Sequence, residues 1–147
     1  MLKSILAVIV GYIVMAICAF ALFTCTYLAL GVDRVFEPDS YTVSMLWVTL
    51  MIAITLICGI IGGLICAAIS KSKRTCLAFA GIVFVLSLVF AIPHIRKEPS
   101  TAVRSGDVPN LQAMQLAQQP VWLCVVNPIL GAVGILLGAR MKKLPVA

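Results

Sequence analysis

LWVTLMIAITLICGIIGGLICAAISKSK, residues 46–73, is the stretch that decides the fold. It carries no charge from Leu46 to Ser70, more than the ~20 apolar residues a helix needs to cross the hydrocarbon core of a bilayer. Gly59, Gly63 and Ala67 recur every fourth residue, so on a helix they stack along one face. Such small-xxx-small stripes let helix backbones approach closely inside lipid. Gly131, Gly134 and Gly138 form a second glycine set near the C-terminus. These six small residues are read as helix-packing positions. The stretch closes on Lys71-Ser-Lys-Arg74, a basic end suited to a membrane surface.

Outward from this helix the rest of the chain reads alike. Of 147 residues, 63% are hydrophobic and 11% charged, against ~25% charged in a soluble domain. Uncharged runs cover residues 4–32, 40–70, 75–95 and 108–139, each long enough to span. The expectation is an all-α integral membrane protein, a single membrane domain over residues 1–147. Its helices fall at about 4–30, 45–70, 75–95 and 120–140, with outer loops at 31–44 and 96–119. The N-terminal apolar run is too long for the ~7–15-residue core of a secretory signal, so it reads as a retained first helix.

The net charge of +6 is no nucleic-acid signature, because its distribution follows the membrane. Lys3, Lys71, Lys73, Arg74, Arg140, Lys142 and Lys143 gather at one set of helix ends. Arg34, Arg96, Lys97 and Arg104 lie at the other, with all five acids. Seven basic residues against four place both termini and the 70–75 turn in the cytoplasm, by the positive-inside rule. The reading is a bacterial cytoplasmic (inner) membrane protein.

Within the outer loops, Tyr27, Phe36, Tyr41 and Trp47 suggest an interfacial aromatic belt. Asp107-Val-Pro-Asn reads as a helix start, with Asp107 as N-cap and Pro109 in the first turn. The short amphipathic helix that follows sets Gln112, Gln115, Gln118 and Gln119 on one face. Helix 3 is read as stopping at Pro93-His94. Asn127-Pro128 interrupts helix 4, since Pro128 has no N–H for the Cys124 carbonyl.

A repeat is also visible. Gly59-x-x-Gly62 matches Gly131-x-x-Gly134, and Gly11 with Phe20-Ala21 matches Gly81 with Phe90-Ala91. Two duplicated hairpins would produce these offsets; so would chance in apolar sequence.

Chemistry is sparse. No ionisable group of the kind used in proton relays lies within the spans, which weighs against a proton-coupled transporter. Six cysteines (18, 25, 58, 66, 76 and 124) form no CxxC and none lies in an outer loop. They are read as small hydrophobes rather than as disulfides or metal ligands. No catalytic set or phosphate-cradling motif is present, so the chain is read as non-enzymatic, with no metal and no cofactor.

Two residues stand out as candidates for a ligand contact. His94 is the only histidine; the plainer reading is an interfacial side chain. Asn127 falls at a depth similar to Thr24, Thr55 and Ser87, one polar residue from each helix. Either this layer meets a solute, or the hydroxyls bond back to their own helices and Asn127 joins two helices. The plainer alternative has priority. The functional reading is an accessory or structural subunit that packs against itself or other membrane subunits, with membrane lipids around it and no nucleic acid. A small oligomeric channel or carrier, using the polar layer in the outer half of the bundle, is its rival.

Overall fold

The computed structural model describes residues 2–96 and 109–142, with the side chains of His94, Arg96, Asn110, Ala113 and Met114 left aside. The chain is an all-α integral membrane protein. Among the described residues four helices are long and apolar enough to cross a bilayer: α1 (Leu2–Leu30), α3 (Met45–Ser70), α4 (Lys73–Arg96) and α6 (Val121–Met141). Two short helices, α2 (Val32–Val35) and α5 (Asn110–Leu116), lie in the connections.

Local chemistry fixes the helix ends. Gly31, at φ +73°, lets the chain turn out of α1 while its N–H still reaches the Tyr27 carbonyl at 3.0 Å. Ser44 caps α3: its hydroxyl oxygen accepts from the Trp47 N–H at 3.2 Å and its O–H donates to the Arg34 carbonyl at 2.6 Å. At the other end Lys71 adopts the left-handed conformation, and its N–H bonds the Ala67 carbonyl at 3.1 Å. α3 therefore turns into α4 through Lys71 and Ser72 alone.

The bundle is built around α3 and α6. Both run from the loop end, which carries residues 31–44 and 109–120, to the basic end at Lys71–Arg74 and Arg140. They make the most extensive helix contact, while α1 packs on α3 and α4 on α6. α1 and α4 touch each other little.

Each end of the bundle holds a separate core. At the basic end Ala7, Cys66, Ala67, Cys76, Phe79 and Ile135 are closed together. At the loop end Tyr27, Val35, Phe36, Tyr41, Trp47 and Leu123 pack into a cap. The aromatic residues expected as a belt thus face one another instead of lipid. Tyr27 meets Trp47 edge-on at 6.4 Å and Phe36 meets Tyr41 at 5.9 Å. Folding the first loop back over the helix ends buries more aromatic surface than a belt would.

Several expectations change in detail. α4 continues through Pro93 to Arg96; in a last turn, the missing proline N–H disturbs little of the ladder that follows. α6 keeps its helical pattern through Pro128. The second-loop helix ends at Leu116, so Gln118 and Gln119 do not share its face. Gln118 instead pairs with the first loop: its N–H donates to the Tyr41 carbonyl at 2.9 Å, and its carbonyl accepts from the Val43 N–H at 3.2 Å. Asp107, read as a cap, lies outside the described residues.

The two hairpins, α1–α3 and α4–α6, pack alike, yet the matched glycines do different work. A Cβ on Gly11 would meet the Gly62 carbonyl oxygen at 3.2 Å and Phe79 at 3.3 Å, whereas one on Gly81 would meet nothing within 4 Å. Likewise Gly62 packs on Met15 of α1, but Gly134 packs on Leu56 and Gly59 of α3.

Candidate intramembrane binding cavity

The glycine faces place the site by closing one side of the bundle. A Cβ on Gly59 would lie 2.8 Å from the Gly131 carbonyl oxygen and 3.1 Å from the Gly134 Cα. One on Gly63 would collide with the Ile135 backbone, 2.7 Å from its carbonyl carbon and 2.8 Å from its Cα. One on Gly138 would meet the Ile60 backbone at 2.9 and 3.0 Å. Backbone therefore meets backbone along α3 and α6, and these glycines are spent inside the fold. Ala67 is fully buried in the basic-end core. Gly131 differs: its missing side chain faces only Val83, at 4.0 Å, and it lines a cavity.

That cavity, about 380 Å³, lies between the two cores and draws on all four long helices. Thr55 and Cys58 of α3 line it, with Ser87 and Val83 of α4 and Asn127 and Cys124 of α6. Met15, Ala19 and Phe23 supply the α1 wall. Val83 belongs to the basic-end core and Phe23 packs against the loop-end cap, so the space is bounded above and below. Tyr12, Ala16, Leu86 and Phe90 line it and are themselves exposed. The cavity accordingly opens sideways, between α1 and α4, toward the bilayer.

Three of the four residues in the expected polar layer meet here. Thr55, Ser87 and Asn127 all line the cavity, and Gln119 adds a further amide; Thr24 is not among the lining residues. The hydroxyls of Thr26, Thr49 and Ser70 donate to the carbonyls of Leu22, Met45 and Cys66, one helical turn back. Among the described residues no such bond occurs at Thr55 or Ser87. Most telling is Asn127. Its carboxamide oxygen is buried and has no hydrogen-bond partner among the described residues. A buried acceptor left unmade costs about 1–3 kcal/mol. Asn127 is therefore no helix-to-helix tie through that oxygen, which was the plainer expectation from sequence. Pro128, also lining the cavity, withholds from the Cys124 carbonyl the N–H a helix normally provides.

The His94 side chain lies outside the described residues. The cysteines are all free, and among the described residues no group of three potential metal ligands occurs. No Asp, Glu, Lys, Arg or His is among the lining residues, so the lining supplies no counter-ion. It can hold an apolar body and offer acceptors and hydroxyls to one polar group. Comparison with protein-family models, curated proteins and solved structures finds no match to this chain.

Proposed function

We propose that this protein is a non-enzymatic membrane-embedded binding protein or carrier, which holds a small neutral lipophile in the cavity between α1 and α4. The observation that carries the reading is the unpartnered, buried Asn127 oxygen beside that space. An unmade acceptor calls for a donor, so the ligand bears a hydroxyl or an N–H. A charged group is disfavoured, because the lining offers no counter-ion and desolvating a charge is costly. Entry is from the lipid phase, through the gap bordered by Tyr12, Ala16, Leu86 and Phe90. A continuous pore in one copy is disfavoured by the packed core around Phe79 and Ile135.

The test is to purify the protein gently and extract what accompanies it. A neutral, donor-bearing lipid should be retained by the native chain and by Thr24→Val, and lost in Asn127→Leu. Retention of the same molecule by Asn127→Leu, or nothing retained by the native protein, overturns the reading.

A second reading, a subunit of a larger membrane complex or of a homo-oligomer, has one observation in its favour. Only 11% of the most apolar window of α1 is buried, against 33–39% in the other three spans, leaving that helix the largest face for a partner. A large particle after gentle extraction would support it. For orientation we propose a bacterial cytoplasmic membrane with the basic end inside. Labelling should then find Ser72 and the C-terminus on the cytoplasmic side and Ser105 on the other.

A further inference from the structure

At the basic end, a second cleft of about 420 Å³ runs between α1 and α4. It is separate from the Asn127 cavity and shares no residue with it. Its walls are aliphatic: Ile5, Val8 and Ile9 on α1 face Ala78 and Ile82 on α4. Its mouth is polar. There the Thr75 hydroxyl donates to the Ser4 hydroxyl at 3.2 Å, and Arg74 completes the lining. From Arg74 to Ile82 the groove follows α4 for about 12 Å, at ~1.5 Å per residue.

The geometry points to a binding site for one anionic phospholipid, with its phosphate at Arg74 and the Ser4 hydroxyl, which Thr75 orients, and an acyl chain in the groove below. Three features converge on this occupant. An arginine guanidinium matches a phosphate with two parallel N–H donors, and Arg74 makes no ion pair among the described residues. Lys3, Lys71 and Lys73 flank the mouth in sequence, while every acid of the chain belongs to segments 33–39 and 98–107. The surrounding field is thus positive, and basic residues near a membrane surface attract anionic lipid. Finally, the polar mouth sits where helix ends meet the headgroups, and the apolar groove runs from it into the hydrocarbon. Free phosphate would use only the mouth. A phospholipid uses both parts.

Native mass spectrometry of the detergent-purified protein tests this, with phosphatidylglycerol, phosphatidylcholine and inorganic phosphate as probes. Phosphatidylglycerol should be retained at one per chain, at least tenfold more tightly than phosphatidylcholine, and inorganic phosphate should not compete at millimolar concentration. Arg74→Gln should lower retention about tenfold, whereas Arg140→Gln, on α6, should leave it unchanged. Ile9→Trp, at an exposed position, fills the groove without touching the mouth and should also weaken retention. It serves as the second variant if Arg74→Gln does not fold. Equal loss in Arg74→Gln and Arg140→Gln would mean general charge attraction and would overturn the site. So would unchanged retention in Ile9→Trp, or displacement by inorganic phosphate. Asn127→Leu should not alter any of these results, which keeps this test apart from that of the lateral cavity.

Discussion

The α3–α6 seam and the α1–α4 seam both join apolar, span-length helices, yet one is shut and the other stands open. Along α3 and α6 the facing positions are Gly59, Gly63, Gly134 and Gly138, and each is so close to the opposite backbone that a single carbon would collide. Along α1 and α4, bulkier residues such as Met15, Phe23, Val83 and Phe90 border an unfilled space. Lipid offers no hydrophobic drive for helices to associate, so close backbone contact has to supply the attraction. The difference teaches that one tightly closed seam can hold a four-helix bundle together while a second stays open.

The strongest way to break this contrast is to add one methyl group inside the closed seam and one outside it. Gly63→Ala should destabilise the protein by about 2–3 kcal/mol, because the new carbon meets the Ile135 backbone and no flexible side chain can yield. Gly63→Leu should prevent folding or disperse the particle. Ile61→Leu, on the same helix, should be tolerated. Thermal melting in detergent distinguishes these, and a Gly63→Ala protein that melts like the native one would mean that α3 and α6 do not meet as described.

Gly81→Ala makes the opposite forecast with the same chemical change. Nothing lies within 4 Å of the added carbon, and alanine favours helix over glycine by up to ~1 kcal/mol. The expected outcome is a melting temperature equal to or slightly above that of the native protein. A loss comparable to that of Gly63→Ala would show α4 buried against a partner on that face.

Asn127→Leu sharpens the open seam. The native oxygen is buried without a partner, so its removal relieves a cost instead of breaking a bond. Room for the leucine exists in the adjoining cavity. Stability of the ligand-free protein should be unchanged or higher by up to about 1 kcal/mol. A fall of 2 kcal/mol or more would restore the idea that Asn127 ties helices together.

Much of this architecture was legible in the sequence because length and charge alone define a span. Length and charge place the second long helix at 45–70, and α3 runs over Met45–Ser70. Its stripe of Gly59 and Gly63 marks a face without side chains, and a stripe cannot say whether its partner is in the same chain. The loops were less legible. Tyr27, Phe36, Tyr41 and Trp47 have the composition of a belt, and only tertiary contacts turn them into a core. Gln118 has a helical neighbourhood, but pairing with Tyr41 and Val43 draws it out of the helix. The cavity lies between these cases. Equal depth along the helices suggested Thr55, Ser87 and Asn127 as a layer, whereas Thr24 falls at a similar depth and does not line the space. Depth follows from counting residues; the direction a side chain faces follows from how each helix is rotated in the bundle.

The smallest expected effect concerns how the open seam is held at its basic end. The Thr75 hydroxyl donates to Ser4 at 3.2 Å, joining α4 to α1 beside the buried Ala7 and Phe79. Hydrogen bonds between membrane helices average only ~0.6 kcal/mol. Thr75→Val keeps the shape and removes the donor, so it should destabilise by about that amount, and Ser4→Ala should do the same. Because both changes remove one bond, the double variant should cost little more than either single one. Additive losses would assign each hydroxyl a separate partner. No loss at all would leave packing around Ala7 and Phe79 as the whole attachment between α1 and α4 at this end.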